Sequence, residues 1–312
     1  MQRICVIGGS RYFGKLLVAR LHAAGYHVTV VNRGSVRPPA GVEHLVADRD
    51  DETALAAALG TRTFDVVVDQ VCYTPVQAAV AARVFTGRTR RYVMTSTIEV
   101  YDPATAALPG AAAPGTEPEP VPEAAVDLAG WTVALDLPWH DAAYREAHYA
   151  EGKRQAEAVL ARAAGFGFVS VRSAHVLGGG RQEFTGRLAH YVERIGRGEE
   201  VVVHEDAVPT VFVHHEELAD LLVWAAAADF TGPVNACSDG PLDVREFAAA
   251  VAAQLGREPV WRTVAAGEEA SPFSFDRHCA MSNARAKQLG FVFSHTRDWL
   301  PGVVQEALRS AS

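Results

Sequence analysis

The stretch that most constrains this chain is a strand that breaks into a glycine-rich turn and continues as a helix. Ile4-Cys5-Val6-Ile7 runs into Gly8-Gly9-Ser10-Arg11-Tyr12-Phe13-Gly14, and Lys15-Leu16-Leu17-Val18-Ala19-Arg20-Leu21 then carries apolar residues at helical spacing. Such a turn lets backbone amides and the positive end of a helix dipole approach a pyrophosphate with no side chain in the way. Gly8 permits the tight turn, and Gly14 lets the helix pack closely on the strand. A second strand, His27-Val28-Thr29-Val30-Val31, ends in Asn32-Arg33-Gly34. Together these features predict a nucleotide site.

Strands and helices alternate onward. His44–Ala47, Phe64–Val68, Arg91–Ser96 and Phe168–Arg172 are expected strands, with an alanine- and leucine-rich helix after Asp48-Arg49-Asp50-Asp51 and another over residues 75–86. Continuous β-branched strands between helices mean a parallel sheet covered on both faces. The expected fold class is α/β, a Rossmann doubly wound parallel sheet with a smaller C-terminal α/β substrate domain. Residues 1–173 plus 212–230 are assigned to the dinucleotide-binding domain, and 174–211 plus 231–312 to the substrate domain. Ligands belong at the carboxyl ends of the strands. The triple glycine Gly178-Gly179-Gly180 also suits close backbone approach to a ligand.

The formal net charge of −8, with no basic block, argues against nucleic acid as a partner. The four cysteines (Cys5, Cys72, Cys237, Cys279) are scattered, which is read as reduced thiols in a cytoplasmic protein. No leader is expected before the first strand, and no apolar run is long enough to span a bilayer. Adjacent His214 and His215 point apart with no third ligand spaced for a metal, so none is expected. A small-molecule substrate is expected, and a homodimer is left open.

Residues 103–122 hold six of the sixteen prolines, so regular structure is not expected there. Trp131, Leu135, Leu137 and Trp139 follow. Two readings of the 102–142 insertion stay open: a surface excursion pinned by its tryptophans, or a lid. A helix over about 143–164 then contains Tyr149-Ala150-Glu151-Gly152-Lys153. With eight tyrosines and three lysines in 312 residues, a Tyr-x-x-x-Lys arises by chance only about 0.08 times. Residues i and i+4 share a helix face, so the ammonium is expected to lower the phenol's pKa and ready it for proton transfer.

The glycine turn, Thr95-Ser96-Thr97-Ile98-Glu99-Val100-Tyr101, the Tyr149/Lys153 pair, Phe212–Ala219 and Pro233-Val234-Asn235 together resemble the extended short-chain dehydrogenase/reductases, the NAD-dependent epimerase/dehydratase family. The resemblance implies Thr97, Tyr149 and Lys153 as catalytic residues, with Lys153 also on the nicotinamide ribose. Cofactor contacts are expected at Gly8, Ser10, Arg11, Tyr12, Phe13, Gly14, Asn32, Arg33, Asp48, Arg49 and Val71, with Asp48 matching the family's adenine-contacting acidic residue. Three departures stand out. Arg11 replaces a usual glycine, as in an atypical branch of the family. Asn32 replaces the acidic residue that holds the ribose in NAD-binding members. Ile98 replaces the dehydratase aspartate, although Glu99 matches the dehydratase glutamate. With Arg33 and Arg11 placed to clasp a phosphate, NADP is the expected cofactor and NAD the alternative. The expected activity is hydride transfer; a cofactor-retaining sugar epimerase and a non-catalytic dinucleotide-sensing or RNA-associated protein are the alternatives.

Overall fold

The computed structural model describes residues 2–106, 119–277 and 280–311. In chain order it builds β1 (Arg3–Ile7), α1 (Tyr12–Ala23), β2 (His27–Asn32), β3 (Glu43–Val46), α2 (Glu52–Leu59), β4 (Phe64–Asp69), α3 (Pro75–Phe85) and β5 (Thr89–Thr97). Then follow α4 (Ala142–Ala147), α5 (Tyr149–Arg162), β6 (Gly167–Ser173), β7 (His175–Leu177), α6 (Arg187–Arg197), β8 (Glu200–His204), β9 (Phe212–His214) and α7 (His215–Ala227). The chain ends with β10 (Gly232–Ala236), α8 (Val244–Leu255), β11 (Val260–Val264), α9 (Ala284–Gln288) and α10 (Thr296–Ala311).

The main sheet has seven strands in the order β10-β6-β5-β4-β1-β2-β3, all parallel. Successive side chains of a strand face opposite sides, so each strand feeds two cores. Ile4 and Val6 of β1 join Leu17 and Leu21 of α1 and Leu218 and Leu222 of α7 on one face. Cys5 and Ile7 join Leu55 of α2, Ala81 and Phe85 of α3, and Leu160 of α5 on the other. The expected Rossmann fold is what forms. Strand order reverses between β1 and β4, the point at whose carboxyl ends doubly wound sheets bind their ligands.

A separate apolar cluster holds Leu188, Tyr191 and Ile195 of α6 against Phe247 and Val251 of α8 and Leu300 and Val304 of α10. Parallel pairs β8–β11 and β7–β9 border it. The segment after residue 230 departs from the expected partition. β10 pairs with β6 from Gly232↔Val169 to Ala236↔Ser173, so the chain completes the main sheet before entering this cluster.

Two local differences bear on the site. The helix expected over 143–164 is broken at His148 (φ −117°, ψ 29°), whose ring stacks on Tyr144 at 4.0 Å, so Tyr149 is the first residue of α5. The described part of the 102–142 insertion runs as a strap along α5. Trp131 Nε1 donates to Glu151 (3.1 Å), Gln155 accepts from the Ala134 amide (2.8 Å), and Arg162 donates to the Leu128 carbonyl. Residues 107–118 of that insertion lie outside the described residues. Cys5, Cys72 and Cys237 are free and buried. No helix among the described residues is long and apolar enough to cross a membrane.

Candidate active site

The glycine turn is built as a cradle. Gly8 and Gly9 take φ of +86° and +70°, conformations that side chains rarely adopt. A β-carbon on Gly8 would meet Val71 at 3.0 Å, and one on Gly14 would meet the Gly9 backbone at 2.9 Å. Arg11, the N-cap of α1, makes no side-chain cap, so the first amides of the helix are left for a ligand. Tyr12 is itself left-handed (φ +49°), and its buried ring stacks on His215 with planes 1° apart. Gln70, beside Gly8, donates through Nε2 to Thr95 Oγ1 (2.8 Å), while its buried Oε1 has no hydrogen-bond partner among the described residues. Bare helix amides, an orphaned acceptor and a cradle that a Cβ would fill fit a dinucleotide.

At the end of β2, Asn32 is fully engaged. Its Nδ2 donates to Ser10 Oγ (2.8 Å) and the Val36 carbonyl (3.0 Å), and its Oδ1 accepts from the Gly34 amide (2.7 Å) and faces His44 Nε2 (2.9 Å). Asn32 therefore shapes the turn. Around it Arg11, Arg33 and Arg37 are exposed, with no hydrogen bond or ion pair among the described residues. Arg37 had no motif to mark it.

Past β3, Asp48 is exposed and its Oδ1 accepts from the Asp50 amide (3.0 Å). Arg49, expected at the cofactor, is turned inward instead. Its guanidinium pairs with the fully buried Asp69 (2.9 Å) and donates to the Gln77 carbonyl (2.9 Å). A buried carboxylate needs a partner more than a solvated cofactor edge does, and Tyr92 also donates to Asp69 (2.6 Å). Arg49 ties the β3–α2 loop to β4.

Thr97 closes β5 and accepts from the Glu99 amide (3.2 Å); Tyr149 projects from the first turn of α5 and interacts with the Thr97 hydroxyl. Lys153 is buried, and its Nζ donates to the Thr95 carbonyl (2.8 Å). The ammonium lies 5.9 Å from the centre of the Tyr149 ring and 4.7 Å from that of Tyr73. Burial pushes Lys153 down to about 8, against the pull of Cys72, Asp69 and Glu157. The expected lowering of the phenol pKa is not what this packing produces. Burial first, then Tyr73, pushes Tyr149 above its ordinary value, and the Thr97 contact only opposes them.

Facing this trio is a polar cluster in which the sequence had marked Glu99 but not Arg187 or His175. Glu99 is half-buried, its carboxyl raised by burial against the field of Arg187. Arg187 opens α6 and donates to His175 Nδ1 (3.1 Å). A guanidinium has no acceptor, so the neutral ring carries its proton on Nε2, which is buried without a partner among the described residues. The triple glycine makes room for protein side chains: a β-carbon on Gly178 would meet His215 Nδ1 at 2.3 Å, and one on Gly179 would meet Tyr12 at 3.0 Å. The rings of His214 and His215 are 71° apart, and no group of described side chains could hold a metal.

The family model for the NAD dependent epimerase/dehydratase family matches residues 4–102. The 2'-dehydrokanamycin reductase of Streptomyces kanamyceticus is 33% identical over 105 residues, which span 33% of this chain and 30% of that protein. Among solved structures, the UDP-glucose 4-epimerase of Thermotoga maritima with UDP-glucose superposes at a TM-score of 0.72, with 18% identity, over 99% of this chain and 100% of that one. Bordetella bronchiseptica WbmG in complex with NAD and UDP gives 0.72 at 16% identity, over 99% and 93%. The dTDP-glucose 4,6-dehydratase of Bacillus anthracis in complex with NAD gives 0.72 at 13% identity, over 99% and 97%. Residues 4–102 thus match the NAD dependent epimerase/dehydratase family, and the fold of nearly the whole chain is that of the solved structures it superposes on.

Proposed function

We propose that the protein is an NADP(H)-dependent oxidoreductase acting at a carbonyl or carbinol carbon of a small-molecule or nucleotide-sugar-like substrate, with Tyr149 as acid/base. The observation that carries this reading is the meeting of Tyr149, Thr97 and Lys153 at the carboxyl end of β5. The nicotinamide, when bound, supplies or takes the hydride. Tyr149 gives the substrate oxygen its proton as the carbonyl is reduced, and Thr97 orients that oxygen. A phenol pushed above its ordinary pKa is protonated at neutral pH, the state that reduction needs. Lys153 uses one N–H on Thr95 and keeps two for the ribose hydroxyls and the phenolate. Gly8, Gly14 and the bare amides of α1, with Tyr12 and Phe13, hold the pyrophosphate, and Asp48 meets the adenine. Arg11, Arg33 and Arg37 supply cations for a 2′-phosphate. The free, buried cysteines are in keeping with a cytoplasmic enzyme.

A cofactor-retaining epimerase is the second reading, favoured by the likeness in fold to 4-epimerases. The two separate cleanly. Native mass spectrometry of the purified protein shows whether a dinucleotide is retained, and NADPH oxidation with 2'-dehydrokanamycin and other carbonyl compounds shows whether it is consumed. The reductase reading expects exchangeable cofactor consumed one-for-one with product. Retained cofactor and product formation without net oxidation would establish the epimerase instead.

A further inference from the structure

Lys153 has a nearer aromatic neighbour than Tyr149. Its ammonium stands 4.7 Å from the centre of the Tyr73 ring, and the two tyrosine rings are themselves 6.3 Å apart. Tyr73 is not free to drift. Its amide donates to Gln77 Oε1 (2.7 Å), Thr74 caps α3 immediately after it, and its carbonyl abuts Gly152 of α5. The ring is 40% exposed, and its hydroxyl takes part in no hydrogen bond among the described residues, so the phenol oxygen is not what anchors it.

We propose that Tyr73 is a positioning residue for Lys153, its ring face holding the ammonium beside Tyr149. An aromatic face attracts a cation most strongly where water is excluded, and Lys153 is 2% exposed. The ring therefore favours the charged form against burial. The other groups bearing on this nitrogen are Asp69 and Cys72 at the end of β4, Glu157 of α5, and Arg49 from the β3–α2 loop; Tyr149 flanks it, and Thr95 of β5 accepts its hydrogen bond. Glu157 and Asp69 already answer Arg172 and Arg49, so neither carboxylate is given to Lys153 alone. The role in the reaction rests on the proposed assignment of Lys153 as partner of Tyr149 and the ribose. The geometry of the Tyr73–Lys153 pair stands apart from that assignment.

The test follows Lys153 directly. The chain has three lysines, Lys15, Lys153 and Lys287. Side-chain NMR of protein made with isotope-labelled lysine therefore gives a small set of resonances, with Lys153 assigned by loss in Lys153→Met. In Tyr73→Leu the titration midpoint of Lys153 is expected to fall by about half a unit to one unit. In Tyr73→Phe, which keeps the ring, it is expected to stay at the wild-type value. NADPH affinity, measured by fluorescence, should weaken in Tyr73→Leu by about two- to fivefold at pH 8 and be unchanged at pH 6, where the amine is charged in both proteins. An unmoved midpoint in Tyr73→Leu would overturn the proposal. So would a shift in Tyr73→Phe as large as that in Tyr73→Leu, because the hydroxyl would then be the active part. Normal turnover by Lys153→Met, with the Tyr73 shifts intact, would sink the reductase assignment and leave the pair standing.

Discussion

The Tyr73 carbonyl lies so close to Gly152 that a β-carbon on the glycine would meet it at 2.6 Å, with the Trp139 ring at 3.2 Å on another side. A backbone oxygen cannot rotate out of the way, so Gly152→Ala must shift α5 against the Gln70–Thr74 loop. Overpacking of this kind costs roughly 1–3 kcal/mol, which a urea denaturation curve will show as a lowered midpoint. Because the same loop carries Gln70 and Val71 beside the glycine turn, NADPH affinity should fall with it. Stability and affinity both equal to wild type would mean that the α3–α5 contact is not rigid.

Tyr149→Phe removes a proton donor and little volume. Turnover with a carbonyl substrate should fall by at least 10²-fold while NADPH affinity stays within a few-fold. Lys153→Ala should damage both, since in the proposed reading the ammonium serves phenol and ribose alike. Near-normal kcat in Tyr149→Phe, with chemistry rate-limiting, would remove Tyr149 from the mechanism.

Glu157 and Arg172 form a fully buried ion pair at 2.6 Å, and Arg172 also donates to the Tyr101 hydroxyl (2.7 Å) and the Glu123 carbonyl (2.9 Å). Tyr101 in turn donates to Asn235 of β10 (2.7 Å), so the network stitches the strap to the sheet. Glu157→Gln leaves the guanidinium buried with its charge unmet and should cost about 3–5 kcal/mol by denaturant titration. A loss below about 1 kcal/mol would show that the interior relaxes to solvate Arg172.

What the sequence made legible, and what it hid, divides along a physical line. Local spacing reports what one element presents on one face, so the glycine turn and the Tyr149/Lys153 pair could be read directly. Spacing says nothing about which neighbouring strand a side chain meets. The Thr95 carbonyl that accepts the Lys153 hydrogen bond, and the Tyr73 ring beside the ammonium, come from β5 and from the loop after β4. The inward turn of Arg49 was hidden for the same reason, since its partner Asp69 lies on a different strand. The break at His148 was hidden because the residues on both sides are good helix formers, and the interruption rests on its ring stacking on Tyr144. β10 begins Gly232-Pro233, and proline lowers the strand signal; at a sheet edge, next to β6, it is tolerated.

His175 offers a pH test. Burial, with Arg187 beside it, pushes its imidazole down to about 3, whereas in the unfolded chain it titrates near 6.5. The unfolded state therefore binds the extra proton between those values. Its contribution to stability is complete above about pH 6.5 and is lost progressively as pH falls toward 3, by at most about 1.4 kcal/mol per unit. His175→Phe, in a cage of Phe212, Phe273 and Phe275, should flatten that acid slope in urea midpoints measured from pH 7 to 4. An unchanged slope would mean that other groups carry the acid sensitivity.

Cofactor choice turns on the end of β2. An acidic residue there holds the ribose diol and repels a 2′-phosphate, whereas Asn32 carries no charge and its amide is committed to Ser10, Val36, Gly34 and His44. Arg11, Arg33 and Arg37 are exposed near it, with no hydrogen bond or ion pair among the described residues. Charge-assisted contacts from two of them should give NADP(H) a preference over NAD(H) on the order of a hundredfold. Arg33→Ala should remove about tenfold of that preference and leave NAD(H) affinity unchanged, because in the proposed reading Arg33 meets only the phosphate. The preference should also shrink as salt rises, since the guanidinium groups are exposed. Dissociation constants for both dinucleotides, in wild type and Arg33→Ala at low and high salt, decide it. Equal affinities in the wild type, or a preference for NAD(H), would show that these arginines do not read a phosphate.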